Sequence, residues 1–272
     1  MTGSETNAEA SAAYYDDANV AEFYRLFWGG SDIHIGRYDS GDESIADASA
    51  AMTRYLIGLA GLDEGDKVLD IACGYGGTLR MLAHMGCKPN GIDISSVCVD
   101  EARRANAEQG LADRIDAVVG DFHDIPVEAD SWDAVICQDS LIHSTDRPRV
   151  FSEVFRVLRP GGIFAFSDIM TAEGADLELV NQAFERLGVK GGATPRDYKD
   201  MAVAAGFQVT HAEERPADIR THYDKLAEQL AGSDTGLAAE TAKKIAASIG
   251  RWQKALHGGH ITWACFIARK PG

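Results

Sequence analysis

The 272-residue sequence is short of positive charge. Lysine is scarce, nine residues against 17 arginines, and 26 basic residues face 42 acidic ones for a formal net charge of -16. Phosphate-binding faces are built from clustered Lys and Arg, and no basic stripe is present, which argues against a nucleic acid partner. Long apolar runs are missing too: none approaches the roughly 18 residues that a membrane span needs. Residues 1–13 have neither the apolar stretch of a signal peptide nor the basic character of a transit peptide. They are polar, small and acidic, and read as a disordered leader. The five cysteines (Cys73, Cys87, Cys98, Cys137 and Cys265) are odd in number and lack any Cys-x-x-Cys spacing. That pattern points to free thiols in a reducing cytoplasm, with no metal site expected. The acid excess bears on solubility and leaves the fold open.

The segment Val68-Leu-Asp-Ile-Ala-Cys-Gly-Tyr-Gly-Gly-Thr78 reads as a buried strand that stops at Asp70 and turns through glycines into a helix. A second apolar strand follows and ends in an acid, Gly91-Ile-Asp-Ile94. An acid at the tip of the second strand can accept both hydroxyls of a ribose, which points to an adenosine-containing ligand. A dinucleotide fits poorly. Its fingerprint needs a third glycine three residues beyond Gly76, where Leu79 stands, and Asp70 before the turn would repel a pyrophosphate. An acid there suits an ammonium group, so a nucleoside with a cationic amino-acid tail is favoured.

Strands alternate with helices along the chain, which gives an α/β doubly wound sheet. Strands are expected over Lys67–Ala72, Lys88–Ile92, Ile115–Gly120, Trp132–Cys137, Ile163–Asp168, Phe207–Glu213 and His260–Arg269, the last antiparallel to its neighbour. Helices are expected over Ala18–Phe27, Ser44–Ala60, Gly76–Met85, Ser95–Gln109, Arg147–Leu158 and Pro195–Ala205. The 45 residues from 215 to 259 are too long for a plain connection and carry two helical patterns. They read as a lid over the carboxyl edge of the sheet. The resulting division is a leader (1–13), an N-terminal cap (14–62) and a core (63–272) with the lid inserted at 215–259.

The motif series Asp70-x-x-x-Gly74-x-Gly76, Gly91-Ile-Asp93, Gly120-Asp-Phe122, Ser131-Trp-Asp-Ala-Val-Ile-Cys-Gln138 and Leu158-Arg-Pro-Gly-Gly162 resembles the class I S-adenosylmethionine-dependent methyltransferases. The resemblance implies a Rossmann-like seven-stranded sheet and S-adenosylmethionine as cofactor. It implies that Asp70, Ala72, Gly74 and Gly76 flank the methionine part, and that Asp93 holds the ribose beside Ile94. Asp121 then meets the adenine amino group, Phe122 covers the ring, and Gln138 closes the cleft.

Acceptor specificity lies outside these motifs. Tyr14 to Tyr38 is rich in aromatics, and aromatic faces attract methylated ammonium groups. Trp28-Gly-Gly-Ser-Asp-Ile-His-Ile-Gly-x-Tyr38, Gln138-Asp-Ser-x-x-His143 and Gly259-His-Ile-Thr-Trp263 resemble the sarcosine/dimethylglycine N-methyltransferases that make glycine betaine. Asp-Ser-x-x-His is also similar to phosphoethanolamine N-methyltransferases, where the histidine pairs with an N-terminal tyrosine. The resemblance implies catalytic roles for His143, Tyr15 and Asp139, the last beside the substrate ammonium. In the cap, Tyr24 and Tyr38 are assigned to the cofactor, and Trp28 and His34, with Trp263, to the acceptor. A carboxylate on the acceptor calls for a cation, Arg37, Arg54 or Arg220, with Arg54 also suited to the carboxylate of the cofactor's methionine. The partner expected is a small-molecule amine, with no nucleic acid and no membrane, and the oligomeric state is left open. Another small-molecule acceptor, a phosphoethanolamine-like amine or a C-methylated compound, remains the alternative, as does a cofactor-binding protein without catalysis.

Overall fold

The computed structural model describes residues 11–232 and 236–272. It holds one seven-stranded sheet in the order β3-β2-β1-β4-β5-β7-β6. The strands are β1 (Lys67–Asp70), β2 (Lys88–Asp93), β3 (Asp116–Val119), β4 (Trp132–Gln138), β5 (Leu158–Thr171), β6 (Gln208–Glu214) and β7 (Ile261–Arg269). The first five run parallel, and β7 pairs antiparallel with both β5 and β6. The helices that matter below are α1 (Ala18–Phe27), α2 (Ile45–Ala60), α3 (Gly77–His84), α4 (Ser96–Glu108), α5 (Arg147–Val157), α6 (Leu177–Phe184), α7 (Pro195–Ala204), α8 (Pro216–Ala231) and α9 (Ala239–His257).

Local chemistry explains these boundaries. Asp17, Ser44, Ser95 and Thr194 each cap a helix by accepting backbone N–H groups, and Thr194 with Asp197 forms a reciprocal capping box. Burial on β4 alternates: Ala134 and Ile136 join one core cluster, Val135 and Cys137 the other, as a parallel strand covered on both faces requires. One face is covered by α1, α2, α6, α8 and α9. The other is covered by α5 and α7, through Phe151, Val154 and Tyr198.

Three expectations shift. β5 begins at Leu158 rather than Ile163, because Leu158 is already extended and Pro160 disfavours helical geometry at Arg159. The Pro-Gly-Gly run is taken up in a register irregularity opposite Trp132 and Ala134. Residues 11–13, assigned to the leader, are helical within a segment from 11 to 16, and residues 1–10 lie outside the described residues. The two helices of the 215–259 segment do not rest on the carboxyl edge alone. Ile219, Tyr223, Leu226 and Trp252 are buried in the same core cluster as Trp263 and Ile267 of β7.

Trp252 is fully buried and stacks on Tyr223 with ring centroids 4.6 Å apart. Trp252→Ala is expected to lower unfolding free energy by about 3–5 kcal/mol, read from urea denaturation.

Candidate active site

The strand order reverses between β1 and β4, and a cleft lies among the residues that follow β1, β2, β3 and β4. The turn after β1 uses the left-handed region at Gly74 (φ 49°) and Gly76 (φ 76°), where side chains are disfavoured. Gly74 N–H donates to Asp93 Oδ2 at 2.8 Å and Ser95 N–H to Asp93 Oδ1 at 2.9 Å. Each oxygen keeps a lone pair, so the carboxylate is held in place while still able to accept a pair of hydroxyls. Asp70 accepts the Ala72 N–H at 3.2 Å, and burial pushes its carboxyl up to about 7.

At the other end, Asp121 Oδ1 accepts from His123 N–H (2.9 Å) and pairs with His123 Nδ1 (2.7 Å), and His123 Nε2 lies 2.8 Å from Ser144 Oγ. Burial opposes the charge of Asp121, but the bonds from His123 hold its carboxyl below the usual range. Phe122 and Ile94 line the same end. Gln138 Nε2 donates to Thr78 Oγ1 at 2.9 Å, while its Oε1 is buried without a protein donor among the described residues.

Tyr15 and His143 meet where the N-terminal segment crosses the cleft, with the phenol oxygen 3.0 Å from Nε2. Burial, then the positive fields of Arg147 and Arg186, lower the His143 imidazole to about 4, so it is neutral at neutral pH. His34 differs. Burial opposes its charge, yet Asp32 (3.6 Å away) and Asp139 hold its pKa above the ordinary value. Asp139, with φ 53°, accepts from Ile35 N–H, Ser167 Oγ and Trp263 Nε1, each at 2.7 Å.

Of the residues singled out from sequence, Tyr15, His34, Asp70, Ala72, Gly74, Asp93, Ile94, Asp121, Phe122, Gln138, Asp139 and His143 line the cleft. The others stand elsewhere, each for a physical reason. Gly76 does not line the cleft, and a Cβ there would meet Arg80 and Ala102. Tyr24 stacks on the back of Tyr15 at 5.8 Å, and the Tyr38 hydroxyl pairs with His222 Nδ1 at 3.1 Å. Trp28 is buried with its Nε1 on the His34 carbonyl, and Trp263 reaches the site only through Asp139. Arg54 is exposed on α2, Arg37 is held by Asp39 and the Tyr55 ring, and Arg220 on α8 does not line the cleft.

Asp32, Ile33, Thr78 and His123 line it too and were not singled out. Asp32 lies within the Trp28–Tyr38 block, but which residues of an irregular loop turn inward has no periodicity to reveal it. The possible metal-ligand group among the described residues, His211, Glu213 and Cys265, lies outside the cleft, and there Glu213 is already bound by Tyr55 and Arg215.

Five carboxylates line the cleft (Asp32, Asp70, Asp93, Asp121 and Asp139), and no Lys or Arg is among its described lining residues. That donor set fits S-adenosylmethionine: Asp70 for the ammonium, Asp93 for the ribose, Asp121 for the adenine amine. It would repel a diphosphate. An ammonium laid on Asp70 favours the carboxylate, so binding below pH 7 expels a proton. Cofactor affinity is expected to fall by up to tenfold per pH unit below about pH 7, measured by calorimetry in buffers of different ionisation enthalpy. The same shift has the opposite sign for the ligand-free fold, which loses stability as pH rises from about 4 through 7, because the folded carboxyl holds its proton more tightly than the unfolded one.

Residues 68–162 match the family model described as a methyltransferase domain. The chain is 35% identical to the dimethylglycine N-methyltransferase of Parasynechococcus marenigrum (strain WH8102), over 96% of each sequence. It is 34% identical to the sarcosine/dimethylglycine N-methyltransferase of Halorhodospira halochloris, again over 96% of each. A crystal structure from Galdieria sulphuraria, provisionally assigned as a sarcosine dimethylglycine methyltransferase, superposes with a TM-score of 0.86 at 29% identity, covering 94% of this chain and 99% of that one. With its fold, its acid-lined cleft and these near full-length matches, the chain is an S-adenosylmethionine-dependent methyltransferase and belongs to the sarcosine/dimethylglycine N-methyltransferase family.

Proposed function

We propose that the enzyme methylates the nitrogen of a small N-methylated amino acid, sarcosine or dimethylglycine, with glycine betaine as the end product. The observation that carries this reading is the Tyr15–His143 pair at the cleft, with the imidazole neutral and Tyr14 and Tyr24 packed around Tyr15. The near full-length identity to enzymes named for these substrates supports it.

When bound, S-adenosylmethionine would supply a methyl group activated on a sulfonium, whose carbon an amine lone pair can attack with S-adenosylhomocysteine leaving as the thioether. The residues of this chain prepare the acceptor. A protonated amine has no lone pair to offer, and the same burial and positive fields that keep His143 neutral favour the uncharged amine, for which His143 and the Tyr15 hydroxyl are placed as hydrogen-bonding partners. A tertiary amine loses no proton during transfer, so for dimethylglycine these two residues act before the chemical step and orient the nitrogen during it. Phenol faces favour the methylated cation that forms. Asp139 contributes negative field while its three donors fix its position.

The experiment is production of S-adenosylhomocysteine from glycine, sarcosine, dimethylglycine and phosphoethanolamine, with the product identified by mass. Turnover of sarcosine or dimethylglycine to a betaine supports the reading. Turnover of phosphoethanolamine alone, or of none, overturns it. His143→Ala is expected to lower kcat by about 100-fold or more while cofactor affinity stays within threefold. Tyr15→Phe, which keeps the ring and loses the hydroxyl, is expected to lose less.

A further inference from the structure

His123 lines the cleft, yet both of its ring nitrogens are bonded to other residues of the chain. It stands in the loop after β3, is buried, and meets the Phe122 ring edge-on at 4.7 Å. Its Nδ1 lies 2.7 Å from Asp121 Oδ1, and its backbone N–H donates to the same oxygen at 2.9 Å. The Asp121 carboxylate can only accept, so the proton between them sits on Nδ1. In that tautomer Nε2 accepts from the Ser144 hydroxyl, 2.8 Å away. Ser144 Oγ accepts in turn from the Asp146 N–H at 3.1 Å. Both bonds to Asp121 fall on Oδ1, which leaves Oδ2 for a donor in the cleft.

This run of bonds spans the two ends of the site. Asp121 is the carboxylate suited to the adenine amine, and Ser144 directly follows His143 on the short turn at Leu141–His143. The turn is braced on the other flank of His143 as well, where Arg147 Nη2 donates to the Ile142 carbonyl at 3.0 Å. The two braces differ in their anchors. Arg147 begins α5 and donates through Nε to the Tyr198 hydroxyl of α7 at 2.9 Å. His123 instead ties the turn to a residue that the cofactor would touch. The backbone of His123 is fixed separately, its carbonyl accepting from Arg149 Nε at 2.9 Å, so the ring can be altered without releasing the loop. A buried polar network whose members are all bonded holds its parts in one arrangement. Methyl transfer needs that, because a displacement of about 1 Å at a reacting group can cost on the order of 100-fold in rate.

We propose that His123 is a positioning residue: by bonding Asp121 on one side and Ser144 on the other, it fixes where His143 stands relative to the bound cofactor. It acts through the two residues it joins. The inference rests on the role given to His143 above and on Asp121 as the contact for adenine.

The test removes the two ring nitrogens one at a time. In His123→Asn the side-chain amide reaches the position of Nδ1 and falls short of Ser144, whereas in His123→Gln it reaches the position of Nε2. His123→Asn is expected to keep S-adenosylhomocysteine affinity within about threefold, read by calorimetry, and to lower kcat on dimethylglycine by about 5- to 30-fold, the consequence of losing one buried hydrogen bond. His123→Gln is expected to do the reverse, weakening S-adenosylhomocysteine by about 5- to 30-fold with kcat held within about threefold. Ser144→Ala should match His123→Asn, and it decides the matter if the histidine variants do not fold. The second readout is the His143 ring signal in the NMR spectrum of the S-adenosylhomocysteine complex, identified by its loss in His143→Ala. It should move in His123→Asn and Ser144→Ala and hold its place in His123→Gln. Equal losses of affinity and kcat in the Asn and Gln variants would mean that His123 only supports the loop. Unchanged kcat and an unmoved signal in Ser144→Ala would mean that His143 is held without it. Either result overturns the proposal and leaves the betaine reading standing. Wild-type protein that turns over neither sarcosine nor dimethylglycine overturns the betaine reading, and the His143 signal then decides the role of His123 by itself.

Discussion

The carboxylate of Asp139 is the point on which the site depends. It joins three parts of the chain far apart in sequence: the loop before α2 through Ile35, the middle of β5 through Ser167, and β7 through Trp263. Burial alone would drive its carboxyl to the protonated form, and the donors around it oppose that. Asp139 itself takes an uncommon left-handed backbone, tolerated best by Gly, Asn and Asp. That geometry re-aims the chain after β4, so that the carboxylate faces β7 and His143 follows on the short helical turn at Leu141–His143. Trp263, which has no contact with the cleft, still fixes one of its walls through this bond.

A second organising constraint is the separation of charge. The whole chain carries -16, yet what counts locally is that carboxylates line the cofactor cleft while arginines near it are kept behind aromatic rings or carbonyl groups. Arg80 is an example: it is buried and donates to the Tyr75 carbonyl at 2.7 Å from behind the glycine turn. Such an arrangement suits a cationic cofactor, and around Tyr15 and His143 the cleft is lined by groups that stay neutral at neutral pH beside the Asp139 carboxyl.

The fold, and the strand tips and turns that bring Asp70, Gly74 and Asp93 to the cleft, were legible in the sequence because short-range rules govern them. Strand tips end in Asp70 and Asp93, glycines with positive φ turn the chain, and Ser95 and Thr194 cap the helices that follow. The acceptor half was legible only in part. His143 and Tyr15 do meet, 128 residues apart, and they could be named only through family resemblance. The aromatic residues were the hardest to place. Trp28, Tyr38 and Trp263 have the composition of a ligand wall, but each uses its polar tip on another protein group and its ring on the core. Arginines were hard to place for the reverse reason: Arg54 lies exposed on α2, and Arg37 is held by Asp39 and the Tyr55 ring. Contacts between distant, irregular segments leave no periodic trace.

Gly77, at the first position of α3, has a loop laid directly against it. A Cβ at this position would stand 2.1 Å from Asp32 Oδ1 and 2.7 Å from the Ser31 carbonyl oxygen. The N-terminal cap is therefore fitted to the bare backbone of the turn at Gly77 through the Asp32 carboxylate and the Ser31 carbonyl. Caps and cores of this architecture are not interchangeable parts. This cap would not seat on a core whose turn carries a side chain at this position, so the cap loop and the turn constrain each other.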